Sequence, residues 1–250
     1  MKKIALLFIA LGIMLVACEE ENISADNPAP TEKNLVIDLV PFYGDSALVY
    51  DSLYINRFSN RFHVDSIVFS MSDIMFVPVN SDDTINLEKN YAVFTTGNNS
   101  HAVARFPAAS YDGRFVIISG VDSSAYWDIE MRGSVPDPLK KVKRTDKRGY
   151  ENFVLYGRMF DPTQPLDTVP TIPLEYHISG YELADTLSSG HRNFAIDEKR
   201  DVTIIMLVDI KPALNIFDLF LLDEIKSEFN DFQDISAAKA FRDSLKFGIF

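Results

Sequence analysis

Apolar runs of strand length, set apart by turn residues and with no amphipathic helices alternating between them, restrict this chain to a sheet-on-sheet fold. Residues 34–40 place Leu35, Ile37 and Leu39 on one face, the period-two pattern of a half-buried strand. Residues 62–79 are a longer run with Asp73 in the middle and Pro78 near the end, which predicts two strands or one bulged strand. Short candidates follow at 91–95 and 102–106. Asp112-Gly113 is a turn signal ahead of the apolar run 115–121, and further strands are expected at 152–160 and 173–179. Residues 202–210 are apolar on both faces, as in a central strand. Near the end, Phe217, Leu221, Ile225 and Phe229 recur at i, i+4 and predict a helix. Asp234 stands where it can cap a second helix that buries Ala238, Phe241 and Leu245. These aromatics read as packing against the sheet, not as a cofactor box. The expected architecture is mainly β, a β-sandwich with two short C-terminal helices, in a single domain over 34–250. Residues 135–148 carry Pro136, Pro138 and six Lys/Arg and read as an exposed loop; contact with anionic lipid or glycan is the alternative use of its charge.

The N-terminus is of a different kind. Lys2 and Lys3 precede the apolar run 4–16, which has the length of a signal h-region and is too short to span a bilayer as a helix. The run ends in Leu15-Val16-Ala17-Cys18, which resembles the bacterial lipobox. Residues 1–17 are therefore expected to be a lipoprotein signal peptide, and Cys18 the acylated, palmitate-type anchor of the mature chain. Two or three acyl chains, at roughly 0.8 kcal/mol per buried methylene, hold where a single chain is marginal. Residues 18–33, with Pro28, Pro30 and several charges, read as a disordered tether. Glu19-Glu20-Glu21 directly after the cysteine resembles the surface-export signal of Bacteroidota lipoproteins. The expected address is the outer membrane, lipid-anchored and facing outward, with the periplasmic face as the alternative. Loss of Lys2 and Lys3 with the signal takes the formal charge from −12 to −14, and no basic stripe offers itself to nucleic acid.

Cys18 is the only cysteine, so acylation leaves no thiol for a disulfide, a metal or a nucleophile. There is no Gly-x-Ser-x-Gly elbow, no glycine-rich phosphate loop and no calcium loop; Ser81-Asp82-Asp83 reads as a hairpin tip. Ser227 and Ser236 fall in or beside the closing helices. Carboxylates are plentiful, but no spacing singles out a pair for glycoside chemistry. His63, His101, His177 and His191 never pair at i, i+2 or i, i+4, so no local chelate exists. His63 reads as a structural strand histidine; His101 and His191 follow loop and turn residues. His177, within Leu174-Glu175-Tyr176-His177-Ile178-Ser179-Gly180, reads by composition as an ordinary strand histidine.

The order of several blocks resembles the MbnP-like copper-binding lipoproteins of Gram-negative bacteria. The blocks are residues 35–43; residues 62–77 with Val64-Asp65-Ser66-Ile67-Val68-Phe69-Ser70-Met71-Ser72-Asp73-Ile74; residues 106–122 with Pro107, Tyr111 and Ser119-Gly120-Val121-Asp122-Ser123; Tyr176-His177-Ile178-Ser179-Gly180; and residues 202–210 followed by Lys211. The resemblance spans residues 34–250. It implies a sandwich closed by short helices. It also implies copper held by histidine and a modified tryptophan, with a haem enzyme as the partner that oxidises the tryptophan. The segment that corresponds to the tryptophan block, 148–160, contains no tryptophan, and the single Trp127 lies too soon after the Val121-Asp122-Ser123 block. Only His177 carries over as a metal ligand; Met159, Met206 or His191 would have to converge on it. The resemblance thus implies a retained fold and a degraded copper site.

Anchor, tether and the lack of a catalytic constellation together predict a non-enzymatic binding or accessory lipoprotein. It would need no cofactor, and its partners would be the membrane, through the lipid, and a surface or periplasmic protein. The alternatives are a copper-binding protein that uses His177 and a cell-surface glycan hydrolase.

Overall fold

The computed structural model describes residues 31–79, 85–86, 91–144, 149–164, 169–226 and 232–250. In chain order its strands begin with β1 (Glu32–Tyr43), β2 (Ser46–Ala47), β3 (Tyr54–Ile55), β4 (Arg61–Pro78), β5 (Ile85–Asn86), β6 (Tyr91–Thr95), β7 (Ser100–Pro107) and β8 (Ser110–Ser119). Helix α1 (Ser123–Arg132) and a 3-10 helix (Asp137–Lys141) precede β9 (Glu151–Met159), β10 (Ile172–Ser179), β11 (Asp185–Ser188), β12 (Arg192–Ala195) and β13 (Val202–Asp209). The one-turn helix α2 (Lys211–Leu214), β14 (Glu224–Lys226), α3 (Phe232–Ser244) and β15 (Lys246–Ile249) complete the described chain. The molecule is mainly β, two facing sheets with a few short helices.

The smaller sheet runs β15-β13-β1-β2, with β7 also on β1. Its β1–β13 pair is parallel, from Leu35 opposite Val202 to Phe42 opposite Asp209. Strand β13 is central, as expected, between β1 and β15. The larger sheet runs β11-β8-β4-β9-β10-β14, with β12 on β8 and with β3, β5 and β6 on β4. Its spine is β4, a single bulged strand. Its register slips between Val64 and Ser66 against β9, and between Ser72 and Met75 against β8. At the second slip Asp73 adopts φ +46°, a left-handed conformation in which an extra residue is accommodated. Inward residues of both sheets, among them Leu35, Ile37, Phe62, Phe69, Phe76, Leu155, Tyr176 and Met206, form one core. A second, smaller core lies where α1 and the 3-10 helix pack Ala125, Tyr126, Ile129, Leu139 and Val142 against Val93 and Tyr150.

Several sequence expectations are corrected. Strand β1 begins at Glu32, not at Asn34. Asp112-Gly113 is no turn; both lie inside β8. Gly113 is needed there because a Cβ would sit 2.4 Å from the Phe76 ring and 2.4 Å from the Val77 carbonyl oxygen, so the glycine serves close strand approach. Residues 135–148 are not wholly an exposed loop, since Leu139 on the 3-10 helix is fully buried. Two C-terminal helices exist, but the first is not the stripe from Phe217. That stripe breaks at Asp218, whose Oδ1 accepts from the Phe220 N–H and whose carbonyl accepts from Leu221 and Leu222. Leu221 is 81% exposed, and Ile225 is buried because β14 adds parallel to β10 opposite Tyr176. The i, i+4 spacing was a coincidence of a turn and a strand. Asp234 lies inside α3 and not at its cap, while Ala238, Phe241 and Leu245 are buried as expected. Phe229, the Ser81-Asp82-Asp83 tip and Ser227 lie outside the described residues.

Candidate functional site

Strand β10 alternates. Leu174, Tyr176 and Ile178 enter the core, so Glu175 and His177 occupy the other face. There His177 stands edge-on to Tyr156, with ring centroids 5.3 Å apart. Its Nδ1 lies 3.1 Å from both carboxylate oxygens of Glu151, and its Nε2 lies 3.8 Å from Glu175. Arg144 approaches the same Glu151 at 3.6 Å and donates to the Ser179 hydroxyl at 3.4 Å. His177 is thus one member of a half-buried charged cluster that ties the start of β9 to β10. Burial, with Glu151 and Glu175 nearby, pushes the Tyr156 phenol above its usual range.

The other ligands considered from the sequence do not join it. Met159 is buried in the core, on the opposite face of the sheet. His191 is exposed between β11 and β12, and β8, β4 and β9 intervene between those strands and β10. Met206 is buried in the other sheet. Among the described residues no group of three or more His, Cys, Asp or Glu is placed to hold a metal. His63 lies 3.2 Å from Asp51, beside the Arg158–Asp65 pair. Cys18 lies outside the described residues.

The feature that sequence reasoning missed is a cleft of about 720 Å3. One wall is β6, with Tyr91, Ala92, Val93 and Thr95. The second is the start of β7, with His101 and Ala102, so that His101 stands in the strand just after the turn residues it follows. The third comes from the end of α1, Asp128 and Arg132, and from Pro136 to Lys141. The local sequence explains that third wall. Asp122 caps α1 by accepting from the Ala125 N–H at 2.8 Å, and Gly133 ends the helix at φ +64°. Pro136 and Pro138 then start the 3-10 helix, which Leu139 pins into the small core. Both caps and the proline pair are readable in the sequence, and together they would have located this wall.

The cleft is amphipathic. Ala92, Val93, Ala102 and the prolines supply apolar surface. Asp128 and Arg132 form a two-point pair at 2.8 and 3.0 Å on successive helical turns, and Lys141 adds a second cation. The His101 ring packs edge-on to Phe94 at 4.9 Å, and its buried Nε2 has no hydrogen-bond partner among the described residues. Behind Tyr91 sits Asp73. Burial, then Asp122 and Asp128, push its carboxyl above the ordinary value of 3.8. The folded protein therefore holds this proton more tightly than the unfolded chain. The associated stability is complete below the ordinary carboxylate range and is lost as pH rises through the elevated folded value. Asp73→Asn, which also tolerates a positive φ, is expected to stabilise the protein at neutral pH, with the gain vanishing in acid. Melting temperatures across the pH range check this; a loss of stability at neutral pH would refute it.

No family model matches the chain, and no curated protein matches it. Among solved structures, MbnP from Methylosinus trichosporium overlaps it with a TM-score of 0.43 at 7% sequence identity, over 71% of this chain and 76% of that one. The likeness is distant, it concerns fold alone, and it transfers no residue or activity.

Proposed function

We propose that the protein is a lipoprotein, acylated at Cys18 and held at the outer membrane facing outward, which binds its ligand without transforming it. The observation that carries the binding role is the cleft between β6, β7 and the end of α1. Its volume of about 720 Å3 lies within the range of roughly 300–1,000 Å3 usual for ligand sites, and it combines apolar walls with a few convergent polar groups. Cys18 and the acidic Glu19-Glu20-Glu21 support the anchor and the address. His177 serves the sheet through Glu151.

The test uses the detergent-solubilised full chain and its single tryptophan. Trp127, 51% exposed, lies on α1, the helix that supplies Asp128 and Arg132 to the cleft, so its emission changes where a ligand shifts that helix. Oligosaccharides, short peptides and copper are titrated separately. We expect a ligand that shifts Trp127 emission, is recovered unchanged, and binds at least tenfold more weakly to Ala102→Phe, which fills the cleft from an exposed strand position. Palmitate labelling should disappear in Cys18→Ser. A ligand converted to product, or copper binding lost in His177→Ala and kept in Ala102→Phe, would overturn the reading.

A further inference from the structure

Two asparagines hold apolar side chains in water at one end of the sandwich. The buried Asn56 accepts from the N–H groups of Phe58 and Asn60 at 3.0 Å each, and donates to the Leu214 and Phe217 carbonyls at 3.1 and 3.3 Å. Asn60 donates to Asp218 at 2.9 Å and accepts from the Leu219 N–H at 2.9 Å. The turn between β3 and β4 is thereby fixed to the segment after α2. Around these bonds Leu53, Ile55 and Leu221 are each more than half exposed, and Phe58 and Phe220 are two-fifths exposed or more. Exposed apolar residues scattered singly are ordinary, but a group of five on one end marks an interaction surface.

Shape, composition and reach select a bilayer as the occupant. A protein partner seats its anchor residues in pockets. The hollow beside Phe220, lined by Arg61, Phe160 and Pro162, holds only about 40 Å3, room for a few waters and not for an aromatic anchor. The Arg57 guanidinium lies 4.7 Å from the centre of the Phe58 ring, and that of Arg61 lies 4.3 Å from the Phe160 ring. Rings and leucines beside long cations that reach phosphates are the make-up of an interfacial segment. This end is also where β1 finishes. The Tyr43 ring is 4.5 Å from Tyr54, and its hydroxyl donates to the Ile55 carbonyl. The 12 residues of β1 span about 40 Å. Fourteen residues lead from Cys18 to Glu32, and at roughly 3.3–3.6 Å each they can cover up to ~50 Å. The chain ahead of β1 is thus long enough for Cys18 and this end to meet one bilayer. We propose that the domain docks on the bilayer that holds Cys18, with Phe58, Phe220 and Leu221 in the boundary between headgroups and acyl chains. The proposal rests on the acylated anchor and adds the orientation of the domain. Asp161 and Asp223 border the same surface, so the contact is apolar and persists in high salt.

Because acylation consumes the only native thiol, an introduced cysteine is a unique labelling site. The acylated full chain is reconstituted into vesicles of phosphatidylethanolamine and phosphatidylglycerol that include a lipid with a nitroxide at the top of its acyl chain. An environment-sensitive fluorophore is placed on Leu221→Cys or on Glu198→Cys. Glu198 is exposed in the loop that leads to Asp201 at the head of β1. The Leu221 label is expected to shift to the blue and to be quenched at least threefold more than the Glu198 label, in low and in high salt alike. Phe58→Asp with Phe220→Asp should cut that quenching at least threefold with the melting temperature unchanged; should the pair melt earlier, the two label positions decide by themselves. Equal quenching at both positions of an acylated chain would overturn docking and leave the anchor standing. A blue shift without quenching that grows with protein concentration would mean that a second copy covers this end, and would overturn it too. Absence of palmitate on Cys18 would overturn the anchor, and docking with it.

Discussion

Gly120→Ala is expected to destabilise the protein by about 3 kcal/mol or more, the sum of an alanine held at positive φ and an overpacked neighbour. Gly120 adopts φ +83°, and a Cβ there would lie 2.2 Å from Cγ of the buried Asn152. Neither partner can yield cheaply. Gly120 donates its N–H to the Ser70 carbonyl at 2.8 Å and accepts from the Ser72 hydroxyl at 2.7 Å. Asn152 accepts from the Val121 N–H at 3.3 Å and donates to the Gly180 carbonyl at 2.9 Å. Here β4 exchanges β9 for β8 as its neighbour, and the side-chain bonds replace the ladder that the exchange interrupts. Asn152→Ala alone strands a buried donor and acceptor, at about 1–3 kcal/mol for each group. The double variant should lose less than the sum of the two single losses, because truncating Asn152 relieves part of the clash. Denaturant midpoints for the four proteins measure the coupling, and strict additivity would refute the contact.

Phe76→Ala is expected to lose about 3–5 kcal/mol, the range for removing a buried phenylalanine ring. Phe76 is 1% exposed, with Phe115, Phe194, Tyr111 and Phe106 around it at centroid distances of 5.2 to 6.1 Å. These rings come from β8, β12 and β7, so one side chain joins both sheets. Phe220→Ala is the control: the ring is 47% exposed, and the change should stay within about 0.5 kcal/mol. Equal losses from the two substitutions would mean that the Phe76 cluster does not join the sheets. Because Phe106 lies on β7, loosening the cluster should also weaken ligand binding at the cleft.

Strand content was legible because period two is a local property. Length and Asp73 marked the run that becomes β4 as two strands or one bulged strand, and only the pairing with β9 and β8 selects the bulged one; the central place of β13 followed from apolarity on both faces. Where a residue had two physical uses, the sequence could not choose between them. Gly113 reads equally as a turn former or as a point of close strand approach, and only the position of Phe76 decides. Ile225 fits a helical stripe as well as an edge strand, and only the free side of β10 decides. His177 was correctly read as a strand histidine by composition, but its engagement with Glu151 depends on the register between β9 and β10. The cleft was illegible as a whole. The caps of α1 and the proline pair mark one wall, but the approach of that wall to β6 and β7 is a tertiary contact that no local pattern carries.

The parallel pairing of β1 with β13 also imposes an order of events. Asn34 and Asp201, which hydrogen-bond at the head of that pair, are 167 residues apart in the chain. No hairpin can deliver β1 to β13, so the smaller sheet closes only when nearly the whole polypeptide is present. Contacts of such separation slow folding. A chain emerging N-terminus first therefore carries its opening strand unclosed until the last fifth arrives, an interval in which it can still be threaded, handed on or captured before its shape is sealed.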